Sequence, residues 1–285
     1  MEQIYVIMLI ALGVLAIIDL MVGVSNDAVN FLNSAIGSKA IAFKTTMIVA
    51  SAGVLIGAMF SSGMMEIARS GIFVPSMFSF NDVMIIFLAV MITDILLLDV
   101  FNSLGLPTST TVSVIFELLG AAVCLALYNI YITDASFDTL GTYINTEKAS
   151  AIVYSILLSV LLSFAVGSFV QYISRLIFTF HYEKKLQHFG AIFGGVAISA
   201  ITFFILIKGL KGVSFISKEQ FAWVDKHQFL ILGANFIFFT VLSQILIKFF
   251  KINILRVIII IGTFALALAF AGNDLVNFIG VPIAA

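Results

Sequence analysis

A chain of 285 residues that is 62% hydrophobic and only 10% charged, with a mean hydropathy of +1.20, has too few polar groups to face water over most of its surface, so its principal solvent is lipid. The formal net charge of −1 and a pI near 6.3 leave no general basic surface and argue against nucleic acid as a partner. The single cysteine, Cys124, excludes an internal disulfide or a thiolate metal cluster, and its apolar neighbours predict a small core residue.

The N-terminus opens with Glu2 instead of a basic region and has no small-residue cleavage pattern, so the first span is expected to be retained. Stretches long enough to cross about 30 Å of hydrocarbon at about 1.5 Å per residue follow near 4–24, 43–61, 83–101, 111–130, 151–178, 189–207, 229–249 and 254–271. They are apolar on most faces, which predicts membrane helices; barrel strands would be shorter and strictly alternating. Basic residues Lys39 and Lys44, then Arg175, Lys184 and Lys185, then Lys248, Lys251 and Arg256 mark alternate loops as cytoplasmic. The loop with Asp134, Asp138 and Glu147 suits the outside, although Lys208, Lys211, Lys218 and Lys226 on that same side run against it. The expectation is a multi-pass protein of the cell (plasma or inner) membrane with an external N-terminus.

Directly after the first apolar stretch and directly after the last, one polar heptad occurs twice. Ser25-Asn26-Asp27-Ala28-Val29-Asn30-Phe31 is matched by Gly272-Asn273-Asp274-Leu275-Val276-Asn277-Phe278, with Asn, Asp, Val, Asn and Phe in register. A carboxylate between two amides is costly in lipid, and its repetition predicts a paired site. An odd number of crossings separates the two copies, whether or not the segments near 83–101 and 111–130 both span. The copies are therefore approached from opposite sides, as an inverted-topology repeat requires.

Those two segments are joined by Asn102-Ser103-Leu104-Gly105-Leu106-Pro107-Thr108-Ser109-Thr110-Thr111, which carries no charge. A link at membrane depth must satisfy its own backbone, and hydroxyls do so; a re-entrant helical hairpin is predicted, with Pro107 ending one half and residues 108–111 capping the next. The expected fold class is an all-α polytopic membrane protein: an inverted-topology repeat with broken helices and a re-entrant hairpin. The expected organisation is a first repeat over 1–150, connecting helices over 151–250, and the start of a second, inverted repeat over 251–285.

Asp19, Asp27, Asp94, Asp99, Glu117 and Asp274 lie within or at the ends of apolar segments, while no Lys or Arg lies deep inside one. Buried carboxylates without a protein cation are neutralised by protons, metal ions or backbone dipoles, which points to a cation-coupled device. Asp94 and Asp99, five apart, point in different directions. Sodium would find carboxylate, amide and backbone oxygens at the heptads, with Asp27, Ser25, Asn30, Asp274 and Asn277 as ligands, if the helices break there. Free N–H groups at such breaks hold tetrahedral oxyanions such as phosphate or sulfate. Asn26, Asn30, Asn273 and Asn277 add amide donors, and Ser25, Thr108, Ser109, Thr110 and Thr111 add hydroxyls. Asp27 or Asp274 would favour an oxyanion that still carries a proton. His181, His188 and His227 sit in polar loops and show no metal spacing; Gly53 and Gly57 form a small-xxx-small pair suited to close helix contact.

The duplicated Asn-Asp-x-x-Asn heptad, with a Pro-x-Ser-Thr-Thr element after its first copy, resembles the PiT family of inorganic phosphate transporters over nearly the whole chain. The resemblance implies symport of phosphate with sodium, or with protons in some members, and no enzymatic activity or cofactor beyond the transported cation. It places the anion between the heptads and the hairpin hydroxyls: Asn26, Asp27, Asn30, Ser109, Thr110, Thr111, Asn273, Asp274 and Asn277. Departures are Ser25, Val29 and Phe31 within the first signature, and Val112 where the family commonly has His. Val281-Pro282-Ile283-Ala284-Ala285 is too short for a second hairpin, so the expectation is a piece of a longer transporter whose remaining C-terminal part completes the site, with a homodimer as a further expected partner. The competing readings are the same architecture carrying sulfate, a passive anion channel, and an intramembrane aspartyl protease. The last lacks its Tyr-Asp and Gly-x-Gly-Asp motifs.

Overall fold

The computed structural model describes residues 2–59, 72–134, 136–178, 182–206, 218–275 and 278. The principal helices are α1 (Glu2–Ser38), α2 (Phe43–Met59), α3 (Phe80–Leu104), α4 (Thr110–Ile132), α5 (Thr146–Phe178), α6 (Tyr182–Phe204), a short α7 (Lys218–Lys226), α8 (Gln228–Lys248) and α9 (Ile254–Asn273). Among the described residues seven helices are long and apolar enough to cross a membrane, and α2 is shorter. The chain is an all-α, multi-pass membrane protein, and each of the eight stretches expected from the sequence falls on one of these helices. Residues 60–61 and 207, assigned to two of those stretches, lie outside the described residues.

Local chemistry sets several helix ends. Ser79 and Asp82 form a reciprocal cap at the start of α3: the Asp82 N–H donates to Ser79 Oγ at 3.2 Å, and the Ser79 N–H to Asp82 Oδ2 at 3.0 Å. Gly105 ends α3 in the left-handed region at φ 68°, which only glycine enters freely, and its N–H returns to Asn102 O. Ser109 caps α4, its Oγ accepting the Val112 N–H at 3.5 Å. The hydroxyls of 108–111 were expected to cap this helix; Ser109 does so, leaving those of Thr110 and Thr111 to face other groups.

One expectation is corrected here. The first heptad was expected at a helix break, but α1 runs without interruption from Glu2 to Ser38. Its polar residues are accommodated because they find partners without disturbing the ladder: Ser25 Oγ donates to Met21 O at 2.8 Å on the same helix. Backbone N–H groups beside Asp27 are thus spent within the helix. Among the described residues, breaks near the heptads fall at the α3–α4 link and at the end of α9 at Asn273.

The chain forms two compact units. The first comprises Met1–Asn30, Met64–Leu158 and Asn273–Ala285, and the second Phe31–Gly63 and Ser159–Gly272. The core of the first gathers Leu12 and Ala16 of α1, Met84, Phe87, Val90 and Met91 of α3, and Val114, Leu118, Ala122 and Ala126 of α4. Ile72, Phe73 and Phe78 close one end of that core, where the Val74 N–H donates to Tyr143 O at 2.9 Å and the Phe78 ring meets Phe73 and Tyr143 edge-on.

In the second unit small residues set the packing. A Cβ added to Gly53 would lie 2.6 Å from Phe264 O, and one added to Gly57 would lie 2.8 Å from Ala271 Cβ, so α2 and α9 approach through the glycine pair seen in the sequence. Gly194 and Gly195 of α6 meet Ser243 and Thr240 of α8 in the same manner. Cys124 departs from its expected core position and is exposed on α4, a surface that suits lipid contact as well as a small apolar side chain does.

Candidate functional site: two aspartates held by adjacent threonines

The first unit brings together residues that are far apart in sequence. Asp27 of α1 is buried at 2% exposure, and Asp274 follows the end of α9. Thr110 Oγ1 donates to Asp27 Oδ2 at 3.2 Å, and the next residue, Thr111, donates through Oγ1 to Asp274 Oδ1 at 2.9 Å. The same turn of α4 therefore holds an aspartate from each heptad. Thr110 and Thr111 open α4, so the positive end of that helix also lies beside the carboxylates.

The Asn26 side chain is engaged within the protein. Its Nδ2 donates to Asn102 Oδ1 at 2.9 Å and to Leu106 O at 3.1 Å, while its Oδ1 accepts the Thr108 N–H at 2.8 Å. Asn102 Nδ2 in turn donates to Val22 O at 3.0 Å. Both donor hydrogens and an acceptor position of Asn26 are engaged in fastening the link between α3 and α4 to α1, at a point well before α1 ends. Asn26 thus positions Thr110 and Thr111. Asn102 is the site-building residue that the sequence reading left without a role; its signal was an amide in a link with no charge.

The other expected residues divide clearly. Asn30 Nδ2 donates to Asp27 Oδ1 at 3.3 Å, so Asn30 belongs with the aspartate, although it is exposed. Ser25 is exposed and bonded to its own helix, apart from Asp27. Ser109 caps α4 and, with Thr108 and Val112, lines a cavity of about 670 Å³ that opens along α3 and α4. The Asn273 side chain and Asn277 lie outside the described residues. Phe278 is fully buried and packs on Gly23, whose missing side chain makes room for the ring, so the second heptad is anchored against the helix that carries the first.

A helical membrane protein with two carboxylates gathered at the tip of a helix pair has the makings of an ion-handling site. The model of the phosphate transporter family matches residues 23–285, and the chain belongs to that family. It is 28% identical over 273 residues to a protein of Pyrococcus abyssi (strain GE5 / Orsay) that carries the name phosphate permease. It is 28% identical over 280 residues to another so named from Thermococcus kodakarensis (strain ATCC BAA-918 / JCM 12380 / KOD1). In both cases 92% of this chain aligns with 62% of the relative, so the chain spans less than two thirds of their length. A solved structure described as the sodium-dependent phosphate transporter has a TM-score of 0.67 at 20% identity, over 97% of this chain and 66% of that one, a likeness of fold.

Proposed function

We propose that the chain forms part of a secondary active transporter that imports inorganic phosphate together with sodium or protons, and that Asp27 and Asp274 act as one cation-loading pair. The observation that carries this reading is the double clasp from Thr110 and Thr111 to the two aspartates. Two facing carboxylates at membrane depth repel each other until a cation or proton lies between them, so loading the pair is coupled to its geometry. Helices α1, α3 and α4, which build most of the site, contain no Lys, Arg or His to take that role.

The donor set suits sodium, which takes carboxylate, hydroxyl and amide oxygens, and Asp27, Asn30 and Asp274 would hold it, with Asn277 as the expected counterpart in the second heptad. Once the pair is neutral, the positive N-terminal end of α4 beside it attracts an anion, which lets an oxyanion bind without an arginine. A phosphate that still carries a proton can donate to a remaining carboxylate oxygen; sulfate at neutral pH cannot. The membrane is proposed to be the cell membrane, with the N-terminus external.

The test is uptake of labelled phosphate by the complete protein in vesicles, with sodium and pH gradients imposed separately and unlabelled sulfate as competitor. Uptake driven by one of the gradients and indifferent to sulfate is expected. Flux that ignores both gradients would make the protein a passive channel, and strong sulfate block would make it a sulfate carrier.

A further inference from the structure

Three more carboxylates lie together in the first unit, on the helices that build the aspartate pair but outside that pair. Asp19 of α1 and Asp94 of α3 are fully buried at 0% exposure, and Glu117 stands on α4. Ser113 Oγ lies 2.7 Å from Asp94 Oδ1 and 2.8 Å from Glu117 Oε1. A hydroxyl carries a single hydrogen and can donate at only one of these contacts. At the other it must accept, and the donor there has to be a carboxylic acid O–H.

Asp19 adds a buried carboxyl with no partner for its oxygens. Neither of its oxygens receives a hydrogen bond from the protein among the described residues, and the groups acting on it are the carboxyls of Asp94 and Glu117. Asp94 Oδ2 and Glu117 Oε2 are buried without a donor as well. Two carboxyl groups bond to one another only when one holds a proton. Helices α1, α3 and α4 carry no basic residue, and the nearby titratable Asp27 is acidic too.

The cluster has a route outward. The cavity of about 670 Å³ is lined by Thr93, Thr108, Ser109, Ser113 and Glu117, and neither Asp19 nor Asp94 reaches it. Glu117 and Ser113 are thus the outer members, and Asp94 and Asp19 lie away from the cavity.

We propose that Asp94 and Glu117, joined through Ser113, form with the neighbouring buried Asp19 a proton-holding site outside the aspartate pair and loaded from the cavity through Glu117. A proton taken up at a Glu117 oxygen is passed when Ser113 accepts it and gives its own hydrogen to Asp94, so each transfer makes one O–H bond and breaks one. The site does not depend on which anion the protein carries.

The test is pH-difference infrared spectroscopy of the complete protein in sodium-free lipid vesicles, without phosphate. The expected result is a carboxylic acid C=O band that fades as pH rises and shifts in heavy water. Asp94→Asn, Asp19→Asn and Glu117→Gln should each remove part of it, while Asp27→Asn leaves that part in place. Ser113→Ala changes no carboxyl and should slow the deuterium shift, which keeps the proposal testable where an acidic variant fails to insert. A band untouched by all three acidic variants, no band at any pH, or a band abolished by sodium at constant pH would overturn the proposal, the last assigning the cluster to a metal cation.

Discussion

At the scale of single residues, the clasp predicts unequal consequences for changes of similar size. Asp27→Asn and Asp274→Asn remove the charge that loads a cation while keeping shape, so each should abolish coupled uptake and leave the protein in the membrane, checked by uptake alongside chromatography in detergent. Thr110→Val keeps volume but deletes the hydrogen bond that holds Asp27 to α4, so sodium-driven uptake should fall at a given sodium concentration, measured by titrating sodium in the uptake assay. Ser25→Ala should change uptake little, since Ser25 bonds only within α1. The aspartates were legible in the sequence because a repeated carboxylate in an apolar stretch has no inexpensive structural explanation. The partners of Asn26 were not: an amide offers donors and an acceptor alike, and only the position of the Thr108 N–H and Asn102 decides which groups it meets.

At the scale of elements, the contact between α2 and α9 and the link between α3 and α4 carry the structural risk. Gly53→Leu would place a branched side chain where Phe264 O and Ala267 already stand, so the helices must separate; overpacking of this kind costs about 1–3 kcal/mol or more, and a lower melting temperature in detergent is expected. Asn26→Ala would leave the Thr108 N–H and part of Asn102 without partners, each buried group costing about 1–3 kcal/mol, and should loosen the link, seen as faster proteolysis or deuterium exchange over 102–109. The helices themselves were readable from length and composition, as was the glycine pair. The unbroken course of α1 was not, because Asn, Asp and Ser favour helix ends on average, and a helix accepts them internally once their side chains are satisfied elsewhere. Cys124 shows the same limit: in a membrane protein an apolar neighbourhood marks lipid contact as readily as burial.

At the scale of the whole molecule, the account rests on two segments separated by most of the chain acting as one site. The sequence predicted the pairing from repetition and parity, and the first unit gathers Asp27, Thr110, Thr111 and Asp274 within it. If the aspartates load one cation together, removing either should cost nearly what removing both does, because residues sharing a ligand are not additive. The direct measurement is equilibrium binding of labelled sodium, or of protons by titration, to the complete protein and to Asp27→Asn, Asp274→Asn and the double variant. The account predicts that each single variant loses the same binding step as the double. Independent losses that simply add in the double variant would contradict it, and would leave two separate carboxylates where a single paired site is claimed.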